Sequence, residues 1–137
     1  MDDATKHFIR QRAHNCCEYC GVHQEYYPDF TFHIEHIVAR QHGGAEEGAN
    51  LALACHLCNR KKGPNLSGID PDTGELTRLF NPRTDVWTDH FRLADSRFIV
   101  GLTPIGRTTS LRPWDELRHP RSDSPAHCSA WSRREVK

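Results

Sequence analysis

Two short cysteine pairs, Cys17-x-x-Cys20 and Cys55-x-x-Cys58, constrain this chain more than any other feature. Four thiolates are the number and type of soft ligand that a closed structural zinc site takes. The gap between the pairs is longer than in compact zinc ribbons, so the segment between them must form a structure of its own and return to the second pair. Cys16 and Cys128 are left over. Cys16 competes with Cys17 as a ligand, but only through the less usual x-x-x spacing to Cys20. A redox role for either pair would call for a cysteine motif opening a helix in a βαβ unit, which neither pair does.

At 137 residues the chain has the length of one domain with a modest core, where a metal staple adds useful stability. The Met1–Lys6 stretch has no apolar h-region, and six cysteines of which four form pairs fit metal binding in a reducing compartment better than disulfides, so a cytoplasmic protein is expected. No apolar run approaches the length of a membrane span. Lysine plus arginine equal aspartate plus glutamate at 18 each, so net charge neither supports nor excludes a nucleic-acid partner. The sequence carries no signal of oligomeric state.

The expected fold is α+β. Thr5 to His14 reads as a helix with Asp2 or Asp3 as N-cap and Phe8, Ile9 and Ala13 on one side, packed over the cysteine knuckle. Thr31–Val38 alternates as a strand. Strict alternation would separate Glu35 from His36, so the strand is expected to end or twist near Glu35. Arg40 to Gly48 is a Gly-rich charged loop, Asn50 to Ala54 a second strand, and Cys55 to Lys62 a helix closed by Gly63-Pro64. Asn65 to Thr77 reads as turns, and Phe91–Leu93 with Phe98–Leu102 as a β-hairpin forming a second layer. The domain is expected to span residues 1–109, with a core at 17–63 and a hairpin extension at 79–109. Residues 110–137, rich in proline and serine and without periodicity, read as a disordered tail.

Within the cysteine-bounded segment the residues run Glu35-His36, Gly43-Gly44, Asn50-Leu51, then Cys58-Asn59-Arg60-Lys61-Lys62-Gly63. In this order they resemble the HNH endonuclease family, whose ββα-metal fold takes zinc-knuckle forms with a Cys-x-x-Cys-Asn-x-x-Lys ending. The resemblance covers about residues 17–63 and implies hydrolysis of nucleic-acid phosphodiesters, with double-stranded DNA as the expected substrate. On chemical grounds His36 suits a general base near neutral pH. Glu35 and the Asn59 carboxamide are hard oxygen ligands suited to Mg²⁺ or Mn²⁺. Asn50 matches the family's central asparagine and is expected to brace the loop near the histidine. His33, two residues before Glu35 on the same strand face, is an additional candidate ligand.

Here the last histidine of a histidine-only motif is replaced by Asn59, and Gly63 stands one turn later where a further ligand could have been. Fewer imidazoles favour Mg²⁺ or Mn²⁺ over zinc at the catalytic position. Arg40, Arg60, Lys61 and Lys62 are the phosphate-contact candidates, although alone such a run is an ordinary solvated helix end. His56 reads as a helix-surface residue. Residues 79–107 resemble a C-terminal extension of one group of HNH proteins; Trp87, Phe91 and Phe98 read as core, and Arg83, His90 and Arg107 as further DNA-facing candidates. The competing reading, from a different functional class, is a non-catalytic zinc-stabilised module that binds nucleic acid.

Overall fold

The computed structural model describes residues 1–94 and 98–110. Helix α1 spans Asp3–Arg12, and the Asp2 carboxylate caps it by accepting the Thr5 N–H at 2.8 Å. It ends two residues earlier than the sequence suggests, because His14 and Asn15 adopt positive φ and turn the chain into the first knuckle. Ile9 and Ala13 are buried. Phe8 does not join them: it is 55% exposed, with the Arg12 guanidinium 5.3 Å from its ring centre. The other face of Arg12 docks the helix, donating to the Gly48 and Leu51 carbonyls at 2.9 and 2.7 Å.

The central unit is β1 (His33–His36), β2 (Leu51–Ala54) and α2 (His56–Lys62). β1 and β2 pair antiparallel, with His33 opposite Ala54, Glu35 opposite Ala52 and His36 opposite Leu51. All four β2 residues are buried, which fits its uninterrupted apolar run. The strand does not stop at Glu35. It continues through His36, so alternation turns Glu35 into the interior and leaves His36 half-buried. Cys55 caps α2, and Gly63 follows its last residue with a positive φ of 49°.

The first knuckle is stitched to this unit by residues inside the cysteine pair. Glu18 exchanges two bonds with Leu53 of β2: its N–H donates to the Leu53 carbonyl, and its carboxylate accepts the Leu53 N–H, both at 2.8 Å. The second oxygen of this fully buried carboxylate is held by Arg83. Tyr19 presents its carbonyl to the Trp87 indole N–H at 2.8 Å.

The second layer comprises two antiparallel hairpins and two short helices. β3 (Ser67–Ile69) pairs with β4 (Leu76–Arg78) in the stretch read from sequence as turns. β5 (Phe91–Ala94) pairs with β6 (Phe98–Gly101), the expected hairpin. α3 (Trp87–His90) leads into β5, and α4 (Pro104–Ser110) follows β6. Phe80, Trp87 and Phe91 form an aromatic cluster, Phe80 edge-on to Phe91 at 5.3 Å and Trp87 stacked on Phe91 at 5.2 Å. A Cβ on Gly106 of α4 would lie 2.0 Å from the His90 carbonyl oxygen, so only glycine allows α4 to close on the α3–β5 corner. Ile9, Val22, Phe32, Leu51, Leu53, Phe80 and Ile99 belong to one apolar cluster with the four paired cysteines.

The chain is therefore a mixed α and β fold containing the ββα arrangement and a four-cysteine cluster consistent with a zinc site. No helix among the described residues is long and apolar enough to cross a membrane. The expectation of a disordered tail at 110–137 falls, apart from Ser110, outside the described residues.

Candidate metal centre and nuclease site

The Sγ atoms of Cys17, Cys20, Cys55 and Cys58 all lie within 4.8 Å of one another, and all four residues are buried. A tetrahedral zinc with Zn–S bonds near 2.3 Å requires Sγ pairs about 3.8 Å apart. The Cys20 and Cys55 sulfurs are 3.8 Å apart. Each pair also turns a backbone N–H onto its own first sulfur: Cys20 N–H on Cys17 and Cys58 N–H on Cys55, at 3.5 and 3.4 Å. Burial pushes the Cys20 and Cys58 thiols well up, so ionising this cluster without a cation would be strongly unfavourable. Zinc is the counter-charge that this donor set fits.

One residue beyond the last cysteine, Asn59 sits on α2 with a half-buried side chain. On the strand facing this helix Glu35 is 7% exposed. One of its oxygens accepts the Tyr19 hydroxyl, and the other meets the Lys62 ammonium at 3.1 Å. Burial pushes the Glu35 carboxyl up; Lys62 and Tyr19 pull in the opposite direction and offset part of this. The same setting drives the Tyr19 phenol well up, chiefly through burial and then through the charge of Glu35. Lys62 also donates to the His36 carbonyl at 3.2 Å. Lys62 therefore does not stand with Arg60 and Lys61 as a solvent-facing cation: it is buried and neutralises Glu35 from within.

His36 follows at the end of β1, its side chain 17% exposed. The backbone around it is fixed by Asn50. The Asn50 carboxamide accepts the Val38 N–H at 2.9 Å and donates to the Val38 and Ala45 carbonyls at 3.0 and 2.8 Å. Its backbone carbonyl takes the Ile37 N–H at 2.8 Å. The glycine pair makes this loop possible. Gly43 has φ +87°, and a Cβ on Gly44 would fall 1.7 Å from the Val38 carbonyl oxygen. Arg40 leaves this loop 69% exposed but paired with Glu46.

His33 is exposed at the far end of β1, with its ring centre 6.3 Å from that of His56. His56 is exposed and stacked on Phe30 at 5.4 Å. Arg60 is exposed and Lys61 half-buried on α2. The remaining cations proposed from sequence are engaged within the fold. Arg83 clamps Glu18, Arg107 spans Asp70 and Asp72, and His90 Nδ1 lies 2.6 Å from the Thr103 hydroxyl.

Tyr19 and Lys62 as partners of Glu35, and Glu46 near His36, are the site neighbours that motif reading omits. Tyr19 had a positional signal, since a residue inside a four-cysteine knuckle is carried close to the helix that starts at the other one. Apart from the four cysteines, no grouping of three or more His, Cys, Asp or Glu donor atoms exists among the described residues. A second cation at Glu35 and Asn59 would thus have few protein ligands, which suits an ion that keeps most of its waters.

Residues 17–65 match the family model described as HNH endonuclease, a match that suggests a nuclease-type or nucleic-acid-related function for that span. No curated protein and no solved structure matches the chain.

Proposed function

From the premise of an HNH domain at residues 17–65, we propose that this protein is an endonuclease that hydrolyses DNA phosphodiester bonds with His36 as general base. The observation that carries the reading is the half-buried His36 side chain at the end of β1, with the backbone that follows it locked by Asn50. His36 takes a proton from water as the water oxygen bonds to phosphorus; the P–O ester bond then breaks, and the leaving oxygen is protonated from solvent.

Glu35 and Asn59 are the residues that would hold a divalent cation, Mg²⁺ or Mn²⁺. When bound, this ion supplies positive charge at the phosphate and at the leaving oxygen. Glu35 already serves as a cation seat, since the Lys62 ammonium rests on it at 3.1 Å. Ligation by Glu35 requires Lys62 to give way at one oxygen. Arg60 and Lys61, with Arg40 from the loop, contact flanking phosphates and place the duplex.

The engagement of both Glu35 oxygens by protein groups favours a second reading, a zinc-stabilised module that binds nucleic acid without cutting it. Cleavage of supercoiled plasmid in Mg²⁺, Mn²⁺ or EDTA, with wild type beside His36→Ala, decides between them. The nuclease reading expects metal-dependent cutting that falls by about 10²–10⁴-fold in His36→Ala. Equal cutting by both proteins would overturn the base assignment. DNA binding without cutting in every metal would establish the module instead.

A further inference from the structure

The loop between β1 and β2 carries a carboxylate with no part in the motif. Nε2 of His36 is buried and has no hydrogen-bond partner. Oε1 of Glu46 stands 3.8 Å from it, about 1 Å too far for a hydrogen bond.

The backbone that carries the exposed Glu46 side chain is held in place. Asn50 holds the carbonyl of the preceding residue, Ala45, at 2.8 Å. Gly44 is packed against the Val38 carbonyl. Arg40 grips the same Glu46 oxygen that faces the imidazole. That guanidinium keeps the Glu46 carboxyl below the usual glutamate range, so the group facing Nε2 is an anion.

We propose that Glu46 is a positioning residue for His36: it selects the tautomer with the proton on Nε2 and sets the ring's rotation, leaving Nδ1 as the nitrogen that receives the proton of water. A neutral imidazole carries one N–H, and a carboxylate facing one ring nitrogen fixes it there. A shift of about 1 Å on closure around DNA converts the 3.8 Å approach into an Nε2–H···Oε1 hydrogen bond. The arrangement follows the general logic of a base oriented by an acid that does not touch the substrate. Here the acid comes from a loop in the same hairpin.

The inference rests on the reading of His36 as the base, and its test separates the two. Long-range ¹H–¹⁵N spectra of the full chain report the His36 tautomer without any reaction. Plasmid cleavage then reports kcat and KM for wild type, Glu46→Ala and Glu46→Gln. The expected result is an Nε2–H tautomer in wild type, and mixed tautomers in Glu46→Ala with kcat lower by about 10–100-fold at unchanged KM. Glu46→Gln, which keeps an acceptor oxygen, should recover part of both. Wild-type tautomer and kcat in Glu46→Ala, alongside a dead His36→Ala, would overturn the Glu46 inference alone. Absence of cleavage by wild type, with the tautomer still set by Glu46, would overturn the nuclease reading and leave the contact standing.

Discussion

Residues 17–65 and residues 66–110 meet the same difficulty, too few apolar side chains for an ample core, in different ways. The first segment gathers four buried thiols and builds its polar site against them. The second relies on an aromatic cluster and on carboxylates clamped by arginine, with Asp70 fully buried under Arg107. The difference matters for function. A metal clamp would hold a few atoms to fixed positions, which suits the segment that carries the proposed site of His36 and Asn59. Side-chain packing and ion pairs tolerate more variation and suit a covering layer.

The comparison breaks most severely if the metal can be removed without consequence. Structural zinc of this type is worth about 10–16 kcal/mol of apparent binding free energy, which becomes folding free energy. A strong chelator, or Cys58→Ser, should abolish the far-UV circular dichroism of the fold. Native protein should contain zinc in a one-to-one ratio by elemental analysis; native protein with no zinc would refute the clamp.

Next in size is the tie between the segments. Arg83→Ala leaves Glu18, at 0% exposure, without its guanidinium. Breaking one side of a buried pair costs about 3–5 kcal/mol. Chemical denaturation should show that loss in a protein that still binds zinc. A change under 1 kcal/mol would mean that the two segments are energetically separate.

Asn50→Ala tests the loop inside the clamped segment. It strips partners from the Val38 N–H and from two carbonyls, for a loss of about 1–3 kcal/mol. Cleavage should fall more than stability predicts, because His36 loses its frame. Proportional loss of both would reduce Asn50 to a stability residue.

The smallest effect lies in the covering layer. Hydrogen bonds from Arg107, against the opposing pull of burial, hold the Asp70 carboxyl well below the usual aspartate range. A depressed folded-state pKa gives stability that is present above the unfolded value near about 4 and is lost as pH falls below it. Asp70→Asn should therefore lower stability at neutral pH and flatten the acid limb of the stability profile. An unchanged acid limb would show that the Arg107 clamp contributes nothing.

Much of the first segment was legible because its signals are chemical. Cysteine spacing, the Glu35-His36 dipeptide and the glycine pair each state a requirement that few alternatives satisfy, and β1, β2 and α2 fall close to where the pattern puts them. The strand ends at His36, one residue past Glu35, and what the pattern did not show is that Glu35 turns inward. Burial of this carboxylate is made tolerable by Lys62 and Tyr19. Nothing in a run reading Arg-Lys-Lys tells which cation turns inward; Lys62 does so to meet the Glu35 carboxylate and the His36 carbonyl of β1.

The second layer was harder to read. β3 and β4 are three residues each, and the turn signals at Asp70-Pro71 and Thr73-Gly74 are the hairpin's own connection rather than a loop. Helix α4 opens on Pro104, a residue suited to a first helical position, but its glycine and threonines hide the pattern. Its place is decided by the close approach at Gly106 and by Arg107 reaching Asp70.

The nesting of these elements also shapes the route by which the chain folds. Cys20 and Cys55 are 35 residues apart in sequence, and closing such a loop costs about 3 kcal/mol of chain entropy before any contact returns it. The β1–β2 hairpin lies wholly inside that loop. A zinc ion that gathered the thiolates would close the long loop first and leave a short search between His36 and Leu51, so the metal would act as a folding nucleus as well as a fastener. Refolding of metal-free chain should then accelerate with zinc concentration, a kinetic dependence that the covering layer, assembled around local hairpins, does not impose.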